Sequence, residues 1–256
     1  METIYDENLP VLERIKFPMV WERLKCGVRI QDLQEDKYEE ALQIAKDFFI
    51  EDDPMCVGCK LNEEEDSVQE FLDLIQLWIQ DTQSILAVED ETGEAVGLLV
   101  GRANDCWSHT KTMSRMRIFK SDALGKMQRF QAHIHRQVDL FEQFRTEAYF
   151  KVYLWCVSRD YRNRGVGKAL LRAAIHQTRL FKMPLVMGVF TGSVSQNVAS
   201  TMDFCSLVEI LYWQWKEGDV SVFDNPGAGN NSAQLMVYTI PENLALTIEE
   251  EVEDHD

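Results

Sequence analysis

Apolar and polar positions recur along this chain with the two periods that distinguish strands from helices. From residue 27 to residue 240 they predict the element order β-α-α-β-β-α-β-α-β-α-β-β. The predicted strands cover residues 27–33, 84–90, 94–100, 153–157, 185–190, 208–215 and 233–240. We find no internal repeat and no linker, so the pattern predicts a single mixed α/β domain.

Helical spacing of apolar residues marks the segments between these strands. The predicted helices cover residues 38–49, 68–78, 123–147 and 166–180, with a loop and short helix within 191–204. The first should end near Asp52-Asp53-Pro54, because the residue before a proline disfavours helical backbone. Residues 103–122 give no clear assignment. We expect residues 1–26 to form an irregular N-terminal arm and residues 241–256 an acidic tail.

Composition limits the kind of protein this is. The 256 residues are 45% hydrophobic, enough for a sizeable core, and carry a net charge of −17. An acidic surface repels nucleic acid and anionic membranes but attracts a cationic small molecule; the alternative is an ordinary solvated surface. The sequence has no run of 18 apolar residues, so it predicts no membrane span. The acidic segment Met1–Glu7 lacks the apolar core of a signal peptide. We therefore expect a cytoplasmic protein.

The cysteine and histidine spacing does not favour a metal site. Cys56 and Cys59 have metal or redox spacing, but the other four cysteines are scattered singly. A zinc site needs a second pair of ligands. His133 and His135 are two apart in a predicted helix and so face different directions. We expect reduced thiols and no metal.

A basic, glycine-containing turn joins the strand at 153–157 to the helix that begins near Val166. Gly165 and Gly167 allow a ligand to approach the backbone closely, and unpaired amides at the helix start attract anions. The turn lacks the Lys-Ser/Thr of a Walker loop and the third glycine of a dinucleotide fingerprint. It is either a phosphate site or an ordinary strand-to-helix turn.

The pattern Arg-x-x-Gly-x-Gly resembles the pyrophosphate motif of the GCN5-related N-acetyltransferase (GNAT) superfamily, whose ligand is acetyl-CoA. Within it, Phe48–Pro54, Tyr161–Leu170 and Thr191–Phe204 are similar to segments of the insect arylalkylamine N-acetyltransferases. The resemblance covers roughly residues 27–240. It implies a mixed, mostly antiparallel sheet with flanking helices, in which the fourth and fifth strands splay apart.

The resemblance also implies where acetyl-CoA would bind. Backbone groups of Cys156, Val157 and Ser158 would bond the pantetheine arm, although Cys156 and Val157 also suit a buried strand core. The pyrophosphate would be held by Arg162, Asn163, Arg164, Gly165, Val166, Gly167 and Lys168. In this interpretation the backbone amides are the principal donors and the charged side chains add attraction.

Asp53 stands where the insect enzymes carry the glutamate that acts as general base through water. A carboxylate is needed because an alkylammonium has a pKa near 10 and must lose a proton before it attacks a thioester. Aspartate is one methylene shorter, and a displacement of ~1 Å can cost about a hundredfold in rate. Glu51 or Asp52 could take its place. The alternative is that Asp53 is a pre-proline turn residue.

Two hydroxyls correspond to serines that the insect enzymes use. One is Ser195 and the other falls at Thr191; they would position the amine or protonate the departing thiolate. Ser195 is equally suited to capping a helix. Asp203 replaces a glycine that is usual in the family, at a position where a left-handed helix C-cap is expected.

Together these features predict an acetyl-CoA-dependent N-acetyltransferase that acts by direct transfer on a small, arylalkyl primary amine. The aromatic residues that could line the amine site are Phe48, Phe49, Tyr212, Trp213 and Trp215. We expect a monomer whose partners are acetyl-CoA and the amine, with no nucleic acid and no membrane. The alternatives are a polyamine substrate, or a catalytically weakened CoA-binding sensor or interaction module.

Overall fold

The computed structural model describes residues 18–81, 83–107 and 120–241. Its strands are β1 Val20–Leu24, β2 Val28–Asp32, β3 Ile85–Glu89, β4 Ala95–Asp105, β5 Ala148–Val157, β6 Leu185–Phe190, β7 Cys205–Leu211, β8 Lys216–Glu217, β9 Val220–Ser221 and β10 Ser232–Thr239. Eight of them form one sheet in the order β1-β2-β3-β4-β5-β6-β10-β7, and β8 pairs with β9. Within the large sheet only β5 and β6 are parallel; the other neighbours are antiparallel.

Helices cover both faces of the sheet. They are α1 Tyr38–Ile44, α2 Pro54–Gly58, α3 Glu65–Ile79, α4 Asp122–Arg136, α5 Leu140–Phe144, α6 Val166–Leu180 and α7 Ser193–Ser200. A π-helical turn over Ala45–Ile50 continues α1. One core cluster packs α1–α5 against one face, and a second packs α6 against the other. None of the described helices is long and apolar enough to cross a membrane.

The sheet splays between β5 and β6. Parallel pairing joins Phe150–Val152 to Val186–Gly188 and then stops. Beyond it, β5 pairs with β4 alone, after an irregularity in register at Val100/Gly101. This is the splayed pair expected of the fourth and fifth predicted strands, and the expected fold is confirmed. The opening lies beside the start of α6.

Three predicted elements need correction. The irregular arm expected over residues 1–26 contains β1 at Val20–Leu24; residues 1–17 lie outside the described residues. The helix expected over 123–147 is two helices, because Asp139 caps a new one through the amides of Phe141 and Glu142. The strand expected over 208–215 ends at Leu211, where a 3-10 turn begins.

Candidate active site

The glycine turn presents unpaired amides at the start of α6. Asn163 and Gly165 have φ of 60° and 85°, in the left-handed region that favours glycine. Gly165 is the N-cap residue and no side chain caps the helix; the first bond runs from the Ala169 amide to the Gly165 carbonyl, at 3.0 Å. The amides of Val166, Gly167 and Lys168 therefore have no acceptor among the described residues, which is the arrangement of an anion site.

Asp52 ties the segment after α1 to this turn. Its carboxylate accepts two hydrogen bonds from Arg159, at 2.7 and 3.1 Å, and one from Arg162 Nη2, at 2.5 Å. Partial burial acts to raise the pKa of Asp52, but the two guanidinium groups outweigh it and hold that pKa below its ordinary value. Asp52 therefore stays charged and is a poor proton acceptor. Glu51 is exposed and accepts a hydrogen bond from Asn62 at 3.3 Å.

The end of β5 is partly engaged by the protein itself. The Ser158 amide donates to the Val96 carbonyl at 2.9 Å, and the Val157 carbonyl accepts from Arg162 Nε at 3.0 Å. The Cys156 thiol is buried and lies 3.8 Å from the Ile44 carbonyl; burial raises its pKa strongly. Since a thiol reacts as its thiolate, Cys156 is a core residue and not a nucleophile.

Asp53 is buried at the junction of two segments that are far apart in sequence. It is 8% exposed. One oxygen, Oδ1, accepts from the amides of Met55 at 2.9 Å and Cys56 at 3.2 Å and so caps α2. The other, Oδ2, accepts from the Thr191 hydroxyl. Burial raises the pKa of Asp53 above its ordinary value, although these hydrogen bonds favour the charged form.

The loop after β6 is held against Asp53 by two further contacts. The Tyr212 hydroxyl, which the sequence did not single out for a polar role, donates to the Thr191 carbonyl at 2.6 Å. Gly192 lies against Pro54, since a methyl group there would be 3.2 Å from Pro54 Cγ. Burial raises the pKa of Tyr212 well above its ordinary value, so this phenol stays protonated. Asp53 and Thr191 are thus positioned by packing as well as by their own hydrogen bond.

Ser195 is not the N-cap of α7, which was one of the two roles that its sequence position allowed. Gly192 is the N-cap residue of α7, and Ser195 occupies the third helical position. Its hydroxyl donates to the Gly192 carbonyl at 2.8 Å and accepts from the Gly192 amide at 3.3 Å. The prediction that Ser195 is the N-cap is wrong. Asp203 does have the left-handed backbone expected there, with φ of 64°, where the Phe204 amide returns to the Ala199 carbonyl.

The aromatic candidates divide into buried and exposed residues. Tyr212 packs with Phe130 and Phe223, whose ring centres lie 5.9 and 5.0 Å away. Trp215 packs with Phe130 at 5.3 Å, whereas Trp213 is 63% exposed. The described residues contain no cluster of three or more metal-binding side chains. Cys56 and Cys59 are both buried. Burial raises the pKa of both thiols, that of Cys59 to about 12.

The chain matches the model of the Acetyltransferase (GNAT) family over residues 30–192. It belongs to the GNAT acetyltransferase family. Members of this family use acetyl-CoA, so the features of the glycine turn can be compared with that ligand. The unpaired amides of α6 suit a pyrophosphate, and the splay between β5 and β6 leaves an opening for an extended arm. The residues present therefore fit acetyl-CoA.

Solved GNAT structures resemble this chain over most of its length. A putative arylalkylamine N-acetyltransferase 7 from the mosquito Aedes aegypti has 24% identity and a TM-score of 0.78, covering 88% of this chain and 96% of its own. Arylalkylamine N-acetyltransferase 2 from the same mosquito has 17% identity and a TM-score of 0.78, covering 84% and 100%. A Drosophila melanogaster polyamine N-acetyltransferase that forms N-acetylagmatine has 15% identity and a TM-score of 0.72, covering 83% and 100%. No curated protein sequence matched the chain.

Proposed function

We propose that this GNAT protein transfers an acetyl group from acetyl-CoA to the primary amine of a small arylalkylamine, with Asp53 as general base. The observation that carries the proposal is the buried Asp53 carboxylate, with its raised pKa and its Thr191 contact. Of the three acidic neighbours, Asp52 is held charged by two arginines and Glu51 is exposed. Asp53 is therefore the best placed to accept a proton.

In this mechanism acetyl-CoA supplies a thioester carbonyl as the electrophile. Asp53 Oδ2 receives a proton from the alkylammonium through a water molecule, because an ammonium has no lone pair with which to attack. The free amine nitrogen then forms the new C–N bond and gives up its second proton, the C–S bond breaks, and the sulfur leaves as a thiolate that takes up one proton. Thr191 orients the Asp53 carboxylate and can pass a proton toward the leaving group. Asn163 and the first-turn amides of α6 hold the cofactor phosphates.

The amine class has a rival that two observations favour. The net charge of −17 attracts a polycation at least as well as an arylalkylamine. One structure that resembles this chain is the Drosophila polyamine N-acetyltransferase. An agmatine-like or polyamine substrate is thus the second candidate. That the protein is a cytoplasmic monomer is part of the same proposal.

The test is amine-dependent release of CoA, followed with a thiol reagent, using acetyl-CoA and a panel of dopamine, serotonin, tyramine, tryptamine, octopamine, agmatine, spermidine and a short peptide. Release with an arylalkylamine supports the proposal, and release with agmatine or spermidine alone replaces it by the second candidate. Binding of acetyl-CoA without release from any member supports a non-catalytic CoA sensor. Absence of acetyl-CoA binding contradicts all three.

A further inference from the structure

Trp155 lies on β5 in the part of the strand that no longer pairs with β6. Its side chain faces α6 and packs with the second core cluster. Phe190, at the end of β6, meets the indole edge to face, with ring centres 5.9 Å apart and planes at 89°. The two rings thus bridge the splayed strands on the side of the glycine turn.

Gly167 lies directly against the Trp155 indole. A methyl group at Gly167 would lie 3.2 Å from Cζ2 of Trp155 and 3.6 Å from both Cε2 and Nε1. Contact at 3.2 Å is tighter than a side chain normally makes, so an alanine at this position would require the indole to shift by a few tenths of an ångström. The second glycine of the motif therefore admits the indole as well as leaving the backbone open to a ligand.

The indole N–H of Trp155 is buried and has no hydrogen-bond partner among the described residues. Such a donor has lost water and gained nothing in return, which costs free energy, and native proteins contain few such groups. Five buried side-chain atoms share this condition in the described ranges: Ser84 Oγ, Gln128 Nε2, Trp155 Nε1, Gln177 Oε1 and Trp215 Nε1. Of these five atoms, Trp155 Nε1 is the one that belongs to a side chain lying against Gly167 of the glycine turn.

We infer that the Trp155 indole N–H is a hydrogen-bond donor to bound acetyl-CoA, which makes Trp155 a cofactor-binding residue. The inference rests on the proposed use of the glycine turn for acetyl-CoA. Trp155 Nε1 lies beside the first turn of α6, where three amides also await acceptors, so a phosphate or amide oxygen there can meet both kinds of donor. A methyl group at Gly167 would lie 3.6 Å from Trp155 Nε1, so a side chain at that position would crowd the N–H.

The test compares Trp155→Phe with Trp215→Phe by calorimetric titration of acetyl-CoA and by thermal unfolding with and without acetyl-CoA. Trp215 is a matched control, because its N–H is also buried without a partner but its ring packs with Phe130 and His133. We expect Trp155→Phe to weaken acetyl-CoA binding about tenfold, ~1.4 kcal/mol, and to reduce the rise in Tm that acetyl-CoA produces. Trp215→Phe should change neither the affinity nor that rise.

The outcomes separate this inference from the proposed function. If the wild-type protein does not bind acetyl-CoA, the proposed function fails. If it binds and Trp155→Phe binds equally well, the inference alone is overturned. Should Trp155→Phe not fold, NMR of the wild type with ¹⁵N-labelled tryptophan decides. The indole N–H signal with a nuclear Overhauser effect to Gly167 must move downfield with acetyl-CoA; an unmoved signal contradicts the inference.

Discussion

Asp53 combines a structural and a proposed chemical role on separate oxygens. Oδ1 caps α2 by accepting hydrogen bonds from two amides. Oδ2 accepts a hydrogen bond from the Thr191 hydroxyl and retains a lone pair. The two interpretations that its sequence position allowed, a pre-proline turn residue and a general base, are therefore compatible in one side chain. An isosteric change can separate them, because an amide keeps an acceptor for the cap and loses basicity.

Asp53→Asn should strongly reduce turnover while leaving the fold intact. Asparagine caps helices about as well as aspartate, so we expect a Tm near that of the wild type. Loss of a general base lowers kcat by about 10²–10⁴-fold. Asp53→Ala should lose both functions, with a stability decrease of about 1 kcal/mol from the missing cap. Thermal unfolding and amine-dependent CoA release measure the two effects, and normal turnover in Asp53→Asn would remove Asp53 from the mechanism.

The raised pKa of Asp53 predicts where activity fails in acid. An ordinary aspartate protonates near pH 4, and burial moves that titration upward. The rate should therefore fall, as pH decreases, at a higher pH than for an exposed carboxylate. A kcat profile at saturating substrate shows this limb, since Asp53 acts only when deprotonated. The free energy of unfolding changes with pH in the opposite direction to the rate. A raised carboxyl pKa stabilises the folded protein below about pH 4, and this stabilisation is lost as pH rises through the folded pKa.

Residue by residue, the sequence identified groups whose role is local. The glycine turn before α6, the helix end ahead of Pro54 and the left-handed Asp203 follow from short patterns, whereas α2 and its cap at Asp53 were not predicted. Contacts across long separations could not be found in this way. The Tyr212 bond to Thr191 spans 21 residues, and the Arg162 bond to Asp52 spans 110. Trp155 had a detectable signal, a large aromatic residue in the strand before the glycines, but its unpaired N–H is a property of packing alone.

At the scale of elements, α4 depends on side chains of α3 for its beginning. Its N-cap residue Ser121 makes no capping bond to the helix. Instead Glu64 accepts from the amides of Ala123 at 3.0 Å and Asp122 at 3.4 Å, and Ser67 accepts from Leu124 at 3.2 Å. The amides at a helix start need acceptors. Here the side chains at the start of α3 supply the acceptors that a helix usually obtains from its own N-cap residue. The pairing also fixes the start of α4 against the start of α3.

Glu64→Gln should destabilise the protein by about 0.3–1 kcal/mol near pH 7, because the amide keeps one acceptor but loses the negative charge at the start of α4. The Ser67 hydroxyl and the Ala123 amide hold the pKa of Glu64 below its ordinary value. A lowered carboxyl pKa adds stability above the ordinary value and loses it as pH falls through the folded pKa. The difference between wild type and Glu64→Gln should thus shrink below about pH 4.5. Urea unfolding at pH 7 and pH 4 checks this, with exposed Glu63→Gln as the neutral control.

Elements with strong local periodicity could be predicted from the sequence. Elements whose bounds depend on strand pairing or on capping contacts could not. α6 buries apolar residues at regular helical spacing and was found from the sequence. β1 is only partly buried along its length and is defined by pairing with β2. The break between α4 and α5 follows from the cap at Asp139, which an apolar pattern running through both helices concealed. The end of β7 at Leu211 similarly reflects the turn that carries Tyr212.

At the scale of the molecule, positive charge is concentrated along α6, although the net charge of the chain is negative. The chain carries −17, yet α6 lines a cavity of about 300 Å³ with Lys168, Arg172 and Arg179. His176 also lines it, but burial and the neighbouring arginines lower its pKa, and Asp203 contributes one acidic side chain. Arg172 pairs with Glu22 at 2.5 Å. Lys168 is exposed at the glycine turn and forms no ion pair with a described residue. A basic region on an acidic protein draws an anionic cofactor to one place and keeps it from the rest of the surface.

Lys168→Gln should weaken acetyl-CoA binding severalfold at low salt, because one exposed charge near a phosphate contributes on the order of 0.5–1 kcal/mol. Lys182→Gln is the matched control: it removes the same charge just after α6 ends at Leu180, and that end lies ~18 Å along the helix from Lys168. That distance exceeds the screening length of about 10 Å at 0.1 M salt. Titrations of acetyl-CoA at about 0.1 and 1 M salt should show a smaller salt dependence for Lys168→Gln alone. Equal weakening by both variants would instead assign the effect to net charge and not to a site at the glycine turn.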